Sequence, residues 1–560
     1  MNMKKYNPDP LTTQLPAGYC ETILQKNLDA LFNISPVLVN RLCLPTKSEH
    51  ITFNEQGHLF YRLHNIDFPL SLQLSNNDID RFAHKNSDNI LFFGINDGAH
   101  LKKLLAHDCP NPVQLWERDP WLLRLFLMRT DFSSEINGRK IEFYLGIDIL
   151  KLANEPHTQL IFNPISEKIY SFEKEILQSQ KTIKKAMVCT GELFIEDICL
   201  DLSARNYSIY QIDVNGLAIE EIRYAIQTFK PEFIFSINYS HGLAELCQSL
   251  SLPLIIWEID PAKDQIEIDM AIPGGNALFT YRKKNIPKHE QSGFAKVKYL
   301  PLASNTQKRK VQQCIAHKYK PEVAFVGSSM LAEAQIYKQQ FIAEYNQFTS
   351  SNTSDAAEKV LQSCLDYQRQ DYSRYSVESA LKKIAPAFYE NCVTRSFSIN
   401  PIRLIDEAAA AEKRLNYMVE LREFNTKIWG DSGWQVLSDY GIQYMGMAGH
   451  SNEINQIYSG SKINLDISRL YQMDIVTMRV FDILACGGFL ITEYNEALGE
   501  IFTPGEELET YRNIEELVDK IRFYLRNFAA AATIANKGKE MVCANHKISD
   551  RVDEIFKFMT

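Results

Sequence analysis

The sequence predicts an α/β protein with parallel sheets, arranged as three consecutive blocks. Two observations predict this class. Short apolar runs of β-like composition alternate with longer helical patterns along the 560 residues, as they do in layered α/β folds. Polar, lysine-containing stretches near 170–184 and 304–321 divide these runs into three groups. The second stretch ends in Pro321 and has the composition of a linker.

The predicted strands follow this division. They lie at 89–94, 112–117 and 140–145 in the first block, at 185–189, 207–212, 233–237, 254–258 and 277–280 in the second, and at 322–327, 426–430, 442–446, 463–466 and 488–492 in the third. We therefore predict domains at 1–180, 181–312 and 313–540, with a helical insertion near 331–424 and a tail helix over 541–560. Ligands of open α/β sheets bind outside the carboxyl ends of the strands, so the chemistry should lie between the second and third blocks.

Composition excludes several functional classes. Sixty Lys and Arg against 69 Asp and Glu give a net charge of −9, whereas a general nucleic-acid binder needs a basic face. The 11 cysteines are scattered and form no C-x-x-C pair, so neither a zinc knuckle nor a disulfide framework is indicated. No apolar run approaches the ~20 residues of a membrane span, and no signal-peptide core follows the first residues. We expect a cytoplasmic protein.

The most informative stretch is 471–492, YQMDIVTMRVFDILACGGFLIT. A helix should begin after Thr477 and end at the glycine pair 487–488, before a strand. On this helix Arg479 and Asp482 are three residues apart and share a face. The helix N-terminus and the guanidinium suit a diphosphate, which leaves Asp482 to accept hydrogen bonds from sugar hydroxyls. The alternative interpretation is a plain surface ion pair between Arg479 and Asp482.

This stretch belongs to an ordered series of motifs that resembles the C-terminal half of the CgeB-like glycosyltransferases, a bacterial group of GT-B fold. The matching segments within 427–556 are IWGDSGW at 428–434, Gly446, EINQIYSGSKINL at 453–465, TMRVFDILACGG at 477–488, FTPGEE at 502–507, and His546 with Asp550, Arg551 and Val552. The resemblance implies a GT-B-like pair of Rossmann-type domains that face a cleft, preceded by an additional N-terminal α/β domain.

The resemblance also implies the donor and its ligands. The donor should be a nucleoside-diphosphate sugar, which we expect to be UDP-linked, bound by the third block without a metal ion. Asp482 would hold the ribose and Asp474, eight residues earlier, the donor sugar, although the wider GT-B group carries Glu at these positions. The remaining donor-binding candidates are Gly327 and Ser328 near the diphosphate, Gly446, Thr477 at the helix start, and Arg479 with Lys462 as the cations.

The second block resembles the acceptor-side domain of the same family at 256–261, 279–281 and 299–303. Asp260 follows a strand there, where a carboxylate could take the proton of an acceptor hydroxyl, as an inverting transferase requires. His241 is a second candidate base, and His450, after a donor-side strand, is a third. Each of the three could instead be a polar residue that caps a loop. The spacing of Asp474 and Asp482 favours a retaining mechanism, and the sequence leaves both open.

The first block carries a weaker nucleotide-binding pattern. Gly94 and Gly98 follow one predicted strand, and Glu117 ends the next, as in nucleotide-binding βαβ units. Over about 60 residues this block resembles the methyltransferase-like Rossmann core of Maf-type flagellin glycosylation proteins, and it could bind the acceptor. The expected function is sugar transfer to a protein, such as flagellin, or to a cell-envelope glycan. The alternatives are an S-adenosylmethionine-dependent methyltransferase and a non-catalytic sugar-nucleotide-binding module.

Overall fold

The structure, a computed structural model, shows an α/β protein. It describes residues 18–46, 48, 50–54, 56–63, 66–70, 89–95, 98–106, 111–155, 159–178, 184–191, 193–240, 242–260, 272–313, 316–351, 353–449 and 452–559. Two of the candidate residues, His241 and His450, lie outside the described residues. The chain forms two compact units: Met1–Phe279 with Pro287–Lys298, and Thr280–Ile286 with Tyr299–Thr560.

The first unit contains two of the predicted parallel sheets and a small antiparallel one. The antiparallel strands are Ile51–Phe53, Leu59–Leu63 and Ile66–Pro69. A four-stranded parallel sheet has the spatial order Ile141–Leu145, Val113–Glu117, Ile90–Phe93, Gln159–Phe162. A six-stranded sheet has the order Phe294–Tyr299, Ile272–Thr280, Leu254–Glu258, Phe233–Ile237, Lys184–Cys189, Tyr207–Ile212. Its last four strands are parallel.

Helices surround these sheets. They are Glu21–Phe32, Pro36–Leu42, Gly98–Leu105, Pro120–Arg129, Ser133–Asn137, Ile149–Leu152, Pro164–Ile169, Ser171–Gln178, Ile195–Ala204, Ile219–Phe229, Leu243–Ser249 and Ile286–Gln291. One apolar core is common to both parallel sheets, because Phe93 and Trp116 of the first sheet belong to the same buried cluster as Met187 and Ile234 of the second. The two sheets therefore stabilise each other.

The second unit is built on a six-stranded sheet in which all neighbouring strands are parallel. Its spatial order is Gln443–Tyr444, Thr426–Trp429, Val323–Val326, Ile463–Asp466, Leu490–Glu493, Glu509–Tyr511. Numbered along the chain this is 3-2-1-4-5-6, the order of a dinucleotide-binding sheet. The predicted α/β class with parallel sheets is confirmed. In such a sheet the ligand crevice lies where the strand order reverses, here between Val323–Val326 and Ile463–Asp466.

Five helices lie between the strands Val323–Val326 and Thr426–Trp429: Leu331–Thr349, Asp355–Arg369, Val377–Ile384, Pro386–Thr394 and Pro401–Glu420. They enclose a core of their own around Phe341, Leu381 and Phe388. The alanine run explains how the last helix packs closely, since Ala410 and Ala411 lie against Ala334 of the first. The other helices of this unit are Asn452–Gly460, Met478–Ala485, Glu496–Ile501, Ile514–Arg526, Phe528–Asn545 and Ile548–Met559. Among the described residues, no helix is long and apolar enough to cross a bilayer.

Candidate functional site

The loop after the strand Val323–Val326 is fixed by the motif at 428–434. The indole Nε1 of Trp434 donates to the Gly327 carbonyl at 2.8 Å. The Asp431 carboxylate accepts from the Ser328 hydroxyl at 2.7 Å and from the Ser329 amide at 2.6 Å. Burial raises the pKa of Asp431, but hydrogen bonds from Ser329 and Ser328 outweigh it, so the net pKa lies below its ordinary value. The loop is therefore held by an ionised carboxylate.

Close packing explains the glycines around this loop. A Cβ at Gly430 would lie 2.1 Å from the Gly327 carbonyl oxygen, and one at Gly433 would lie 2.2 Å from the Ser329 hydroxyl. Gly446 contributes through its backbone, because its carbonyl oxygen accepts a hydrogen bond from the Gly430 amide at 3.0 Å. Its φ of +84° is in the left-handed region that favours glycine. Gly446 thus belongs to the backbone beside the loop.

Arg479 reaches the same place from the start of its helix. Its Nη1 pairs with Oδ1 of Asp466, a buried residue at the end of the neighbouring strand. Asp466 also accepts from the hydroxyls of Thr477 at 3.3 Å and Thr492 at 3.1 Å. On its other side the guanidinium borders Gly327, where a Cβ would lie 2.8 Å from Nη2. The structure therefore brings together the predicted residues Gly327, Thr477 and Arg479.

A second arginine, which the sequence did not single out, lies between the two loops. Nη1 of Arg414 donates to the Ser328 carbonyl at 2.8 Å and Nη2 to the Ile467 carbonyl at 3.3 Å. Its Nε is buried and has no hydrogen-bond partner among the described residues. Burial, and after it the positive charges of Arg479 and Arg469, lower the pKa of Arg414 to about 9.

The crevice contains charged groups of both signs. Two guanidiniums, Arg414 and Arg479, meet at the carboxyl ends of the two central strands, and Asp466 is the carboxylate that pairs with one of them. The charge of Arg479 acts on Arg414 strongly enough to lower its pKa. An anion bound here would relieve that repulsion and gain charge-assisted hydrogen bonds. The arrangement suits a phosphate or diphosphate.

Asp482 lies on the same helix as Arg479 but has different partners. The Ser304 hydroxyl donates to its Oδ1 at 2.6 Å, and Nε of Arg309 donates to its Oδ2 at 3.0 Å. The residue is buried. Arg479 pairs with Asp466, so the alternative interpretation, an ion pair between Arg479 and Asp482, is not observed. Residues of the 304–321 segment cover the Asp482 carboxylate, and its ribose role stays a prediction.

Asp474 lines a cavity of about 780 Å³ within the second unit. Its carboxylate accepts from Nε and Nη2 of Arg282 at 2.9 and 2.6 Å, and Lys284 lies at 3.3 Å. Tyr471 and Arg403 line the same cavity. The predicted contact of Asp474 with a donor sugar is not tested, but the carboxylate is already held by two cations.

Lys462 does not lie at the crevice. Its Nζ pairs with Glu322 at 3.3 Å, and both side chains are well exposed. These two residues precede the paired strand residues Ile463 and Val323, so they stand at the amino end of the sheet. At about 3.3 Å per residue, four strand residues separate this end from Gly327 by more than 10 Å. We therefore leave Lys462 out of the phosphate site.

In the first unit, Asp260 follows the strand Leu254–Glu258 at the carboxyl edge of the six-stranded sheet. Its amide donates to Oδ1 of Asn238 at 3.2 Å, which fixes the turn, and the residue is partly buried. The neighbouring acid, Glu258, is buried against Nε2 of His289 at 3.1 Å. Asp260 is therefore the more accessible carboxylate of this strand end. Its role as a base stays a prediction.

Glu117 does not fit the cofactor role that the methyltransferase alternative requires. The carboxylate is fully buried and accepts from the Ile95 amide at 3.1 Å, the Asp119 amide at 3.0 Å and the Tyr170 hydroxyl at 2.6 Å. Burial raises the pKa of Glu117 to about 7.

The glycine turn beside it is closed as well. Gly94 has φ +87°, and a Cβ there would lie 2.0 Å from the Ser166 hydroxyl, so a serine fills the space beside the turn. The carboxylate that would accept the ribose hydroxyls of S-adenosylmethionine is thus occupied by the fold itself, and these residues do not fit that cofactor.

Comparison with known families places the crevice with Arg414 and Arg479 in context. Residues 406–557 match the family described as "Glycosyl transferase-like". Both Arg414 and Arg479 lie within the matched segment. Comparison with curated protein sequences found no match.

Several solved structures show distant similarity. Sucrose-phosphate synthase from Thermosynechococcus elongatus is 8% identical, with 67% of this chain and 98% of that chain covered and a TM-score of 0.39. A glycosyltransferase from Rickettsia africae is also 8% identical, with coverage of 68% and 98% and a TM-score of 0.40. Anabaena HepE in complex with UDP and glucose is 9% identical, with coverage of 67% and 99% and a TM-score of 0.41. Such values are too low to transfer a ligand or acceptor to this chain.

Proposed function

We propose that this protein is a glycosyltransferase that moves a sugar from a UDP-linked donor to a protein such as flagellin or to a cell-envelope glycan. The observation that carries the proposal is the meeting of Arg414 and Arg479 at the switch point of a 3-2-1-4-5-6 sheet. The glycosyl transferase-like match over 406–557 supports the reaction class. The resemblance to the CgeB-like and Maf-type groups supports the acceptor class.

The chemistry of transfer explains why such a crevice is useful. The acceptor oxygen forms a bond to the anomeric carbon while the bond from that carbon to the diphosphate oxygen breaks. The nucleoside diphosphate leaves with additional negative charge. Arg479 and Arg414 would stabilise this charge, because preorganised cations in a partly buried site need little rearrangement as it develops. The backbone held by Asp431 would keep the loop at Ser328 in place during the reaction.

We propose Asp260 as the base that takes the acceptor proton, with His241 and His450 as the other candidates from the sequence. Replacing Asp260 with asparagine should leave UDP affinity unchanged while the transfer rate falls at least about a hundredfold, the usual scale for a general base. Titration with UDP and a radiolabelled transfer assay measure the two quantities. Equal transfer rates in parent and variant would exclude Asp260 as the base and leave the histidines to be replaced next.

A ligand panel tests the proposed function as a whole. UDP-, GDP-, CMP- and dTDP-linked sugars and S-adenosylmethionine are added separately to the purified full-length protein, and the unfolding temperature and donor hydrolysis are measured. We expect a UDP-sugar to raise the unfolding temperature and to be hydrolysed slowly, since binding to the folded state alone stabilises it. Stabilisation by S-adenosylmethionine alone would contradict the proposal. Nucleotide-sugar binding with neither hydrolysis nor transfer would instead indicate a non-catalytic binding module.

A further inference from the structure

The first unit contains a cavity of about 640 Å³ between its two parallel sheets. Arg118 and Asp119 reach it from the end of the strand Val113–Glu117, and Thr190 and Asp213 reach it from the ends of two strands of the six-stranded sheet. The carboxyl ends of parallel strands are where α/β sheets bind ligands. Here two sheets present these ends to the same space, whose volume is within the range of about 300–1,000 Å³ typical of ligand sites.

Arg118 is held rigidly at the wall of this cavity. Its Nη1 donates to Oε1 of the buried Glu173 at 3.1 Å and to Oε1 of Gln211 at 3.1 Å. The guanidinium also lies over the ring of Tyr170, 4.3 Å from its centroid. The side chain keeps 18% of its surface exposed, and among the described residues its Nε and Nη2 make no hydrogen bond. Arg118 thus presents oriented donors to a ligand.

Acceptors face these donors from both sheets. Oδ1 of Asp119 accepts from the Trp121 amide at 2.8 Å. Oδ1 of Asp213 accepts from two backbone amides of its own turn, while Oδ2 makes no hydrogen bond within the described residues. Burial raises the pKa of Asp119, and the nearby charge of Asp213 adds to that rise. The two carboxylates therefore lie close enough to interact across the cavity.

An aromatic surface completes the lining. The rings of His50 and Tyr61 are stacked, with centroids 5.6 Å apart and an interplanar angle of 25°, and both residues line the cavity. The hydroxyl of Tyr61 makes no hydrogen bond within the described residues and can donate or accept. The cavity thus combines a flat aromatic pair, a fixed guanidinium and two carboxylates.

We propose that this cavity binds a neutral saccharide. Asp119 and Asp213 would accept hydrogen bonds from sugar hydroxyls, and Arg118 and Tyr61 would donate to hydroxyl or ring oxygens. The carboxylates that line the cavity outnumber the cations, so the lining disfavours a phosphate or an acidic sugar, and its charge does not suit an apolar ligand. The carboxylates are Asp119, Glu196, Asp213 and Glu221, and the cations are Arg62, Arg118 and Lys168. The binding itself is independent of the proposed donor site. Its use as the acceptor subsite rests on the proposed glycosyltransferase function.

Titration of the full-length protein with neutral saccharides tests the proposal. Glucose, galactose, mannose, N-acetylglucosamine and their disaccharides serve as probes, with saturation-transfer NMR as the readout and UDP titrated in parallel. We expect at least one of these saccharides to bind, and Asp213→Asn to weaken that binding about tenfold or more, on the scale of a lost charge-assisted hydrogen bond. Tyr61→Phe, which removes a single hydroxyl, should weaken it as well.

Asp201→Asn is the matched control, because it removes the same charge from a helix of the same unit where Asp201 pairs with Arg205. It should leave saccharide binding unchanged, and all three variants should bind UDP like the parent. The proposal is overturned if none of the saccharides binds, or if binding is unaffected by both Asp213→Asn and Tyr61→Phe. Loss of UDP binding in Asp213→Asn would also overturn it, since the cavity would then take nucleotide. If no saccharide binds but UDP binding is intact, this proposal is rejected while the proposed donor site is unaffected.

Discussion

Replacing Arg479 with alanine should weaken the binding of UDP by about 1.5–3 kcal/mol, the scale of a hydrogen bond to a charged group. This corresponds to about a ten- to 150-fold rise in Kd. The guanidinium pairs with Asp466 on one side and borders Gly327 on the other. Its loss would remove a cation from the crevice and leave the buried Asp466 carboxylate without its ion-pair partner, which would further repel a diphosphate. Isothermal titration calorimetry on the full-length protein measures the change.

Lys462→Ala is the matched control for Arg479→Ala, since it removes one positive charge from the opposite end of the same sheet. We expect UDP affinity in this variant to stay within about twofold of the parent, because Lys462 is exposed to screening solvent at the opposite end of the strands from the crevice. Unchanged affinity in Arg479→Ala would reject the crevice as the phosphate site. A large loss in Lys462→Ala would place the nucleotide at the amino end of the strands.

Replacing Lys413 with methionine should lower the free energy of unfolding of the second unit by about 3–5 kcal/mol. Nζ of Lys413 lies 2.6 and 2.7 Å from the two carboxylate oxygens of Glu493, and both side chains are buried. Burial raises the pKa of Glu493 even with the lysine beside it, so a lone carboxylate there would be costly. Urea unfolding of the full-length protein, followed by circular dichroism, measures the loss.

The double variant Lys413→Met with Glu493→Leu distinguishes charge from packing. Removing both partners should recover most of the lost stability, because no uncompensated charge remains in the core. If Lys413→Met alone costs less than about 1 kcal/mol, the buried pair does not stabilise the unit. If the double variant is as unstable as the single one, the cost arises from packing instead.

Local patterns predicted the parts of the fold that depend on neighbouring residues. The strand 322–327 was predicted because an apolar run marks it. The helix after Thr477 was predicted because its apolar residues are followed by a glycine pair that ends it. Among the strands that were not predicted, Gln159–Phe162 and Glu509–Tyr511 carry a weaker apolar pattern. The second of these includes Glu509 and Thr510, polar residues that the sheet edge tolerates.

The candidate site was only partly predictable, because it depends on contacts between distant segments. Arg414 follows an alanine run in a helix, and nothing in its own segment indicates that it meets the Ser328 and Ile467 carbonyls. Lys462 shows the opposite case: it is close to Asp466 in sequence, but strand direction places it at the far edge. Spacing along a helix identifies residues that share a face. The direction of a strand decides at which end of the sheet a residue lies, and contacts between distant segments decide which residues meet there.

The common apolar core of the two parallel sheets in the first unit has a practical consequence for dissecting this chain. Cutting near residue 180 would part Phe93 and Trp116 from Met187 and Ile234, which belong to one buried cluster. Each fragment would then expose large aromatic or aliphatic side chains to water and tend to aggregate. Recombinant fragments intended for ligand screening or crystallisation should therefore keep the residues on both sides of that position in a single polypeptide.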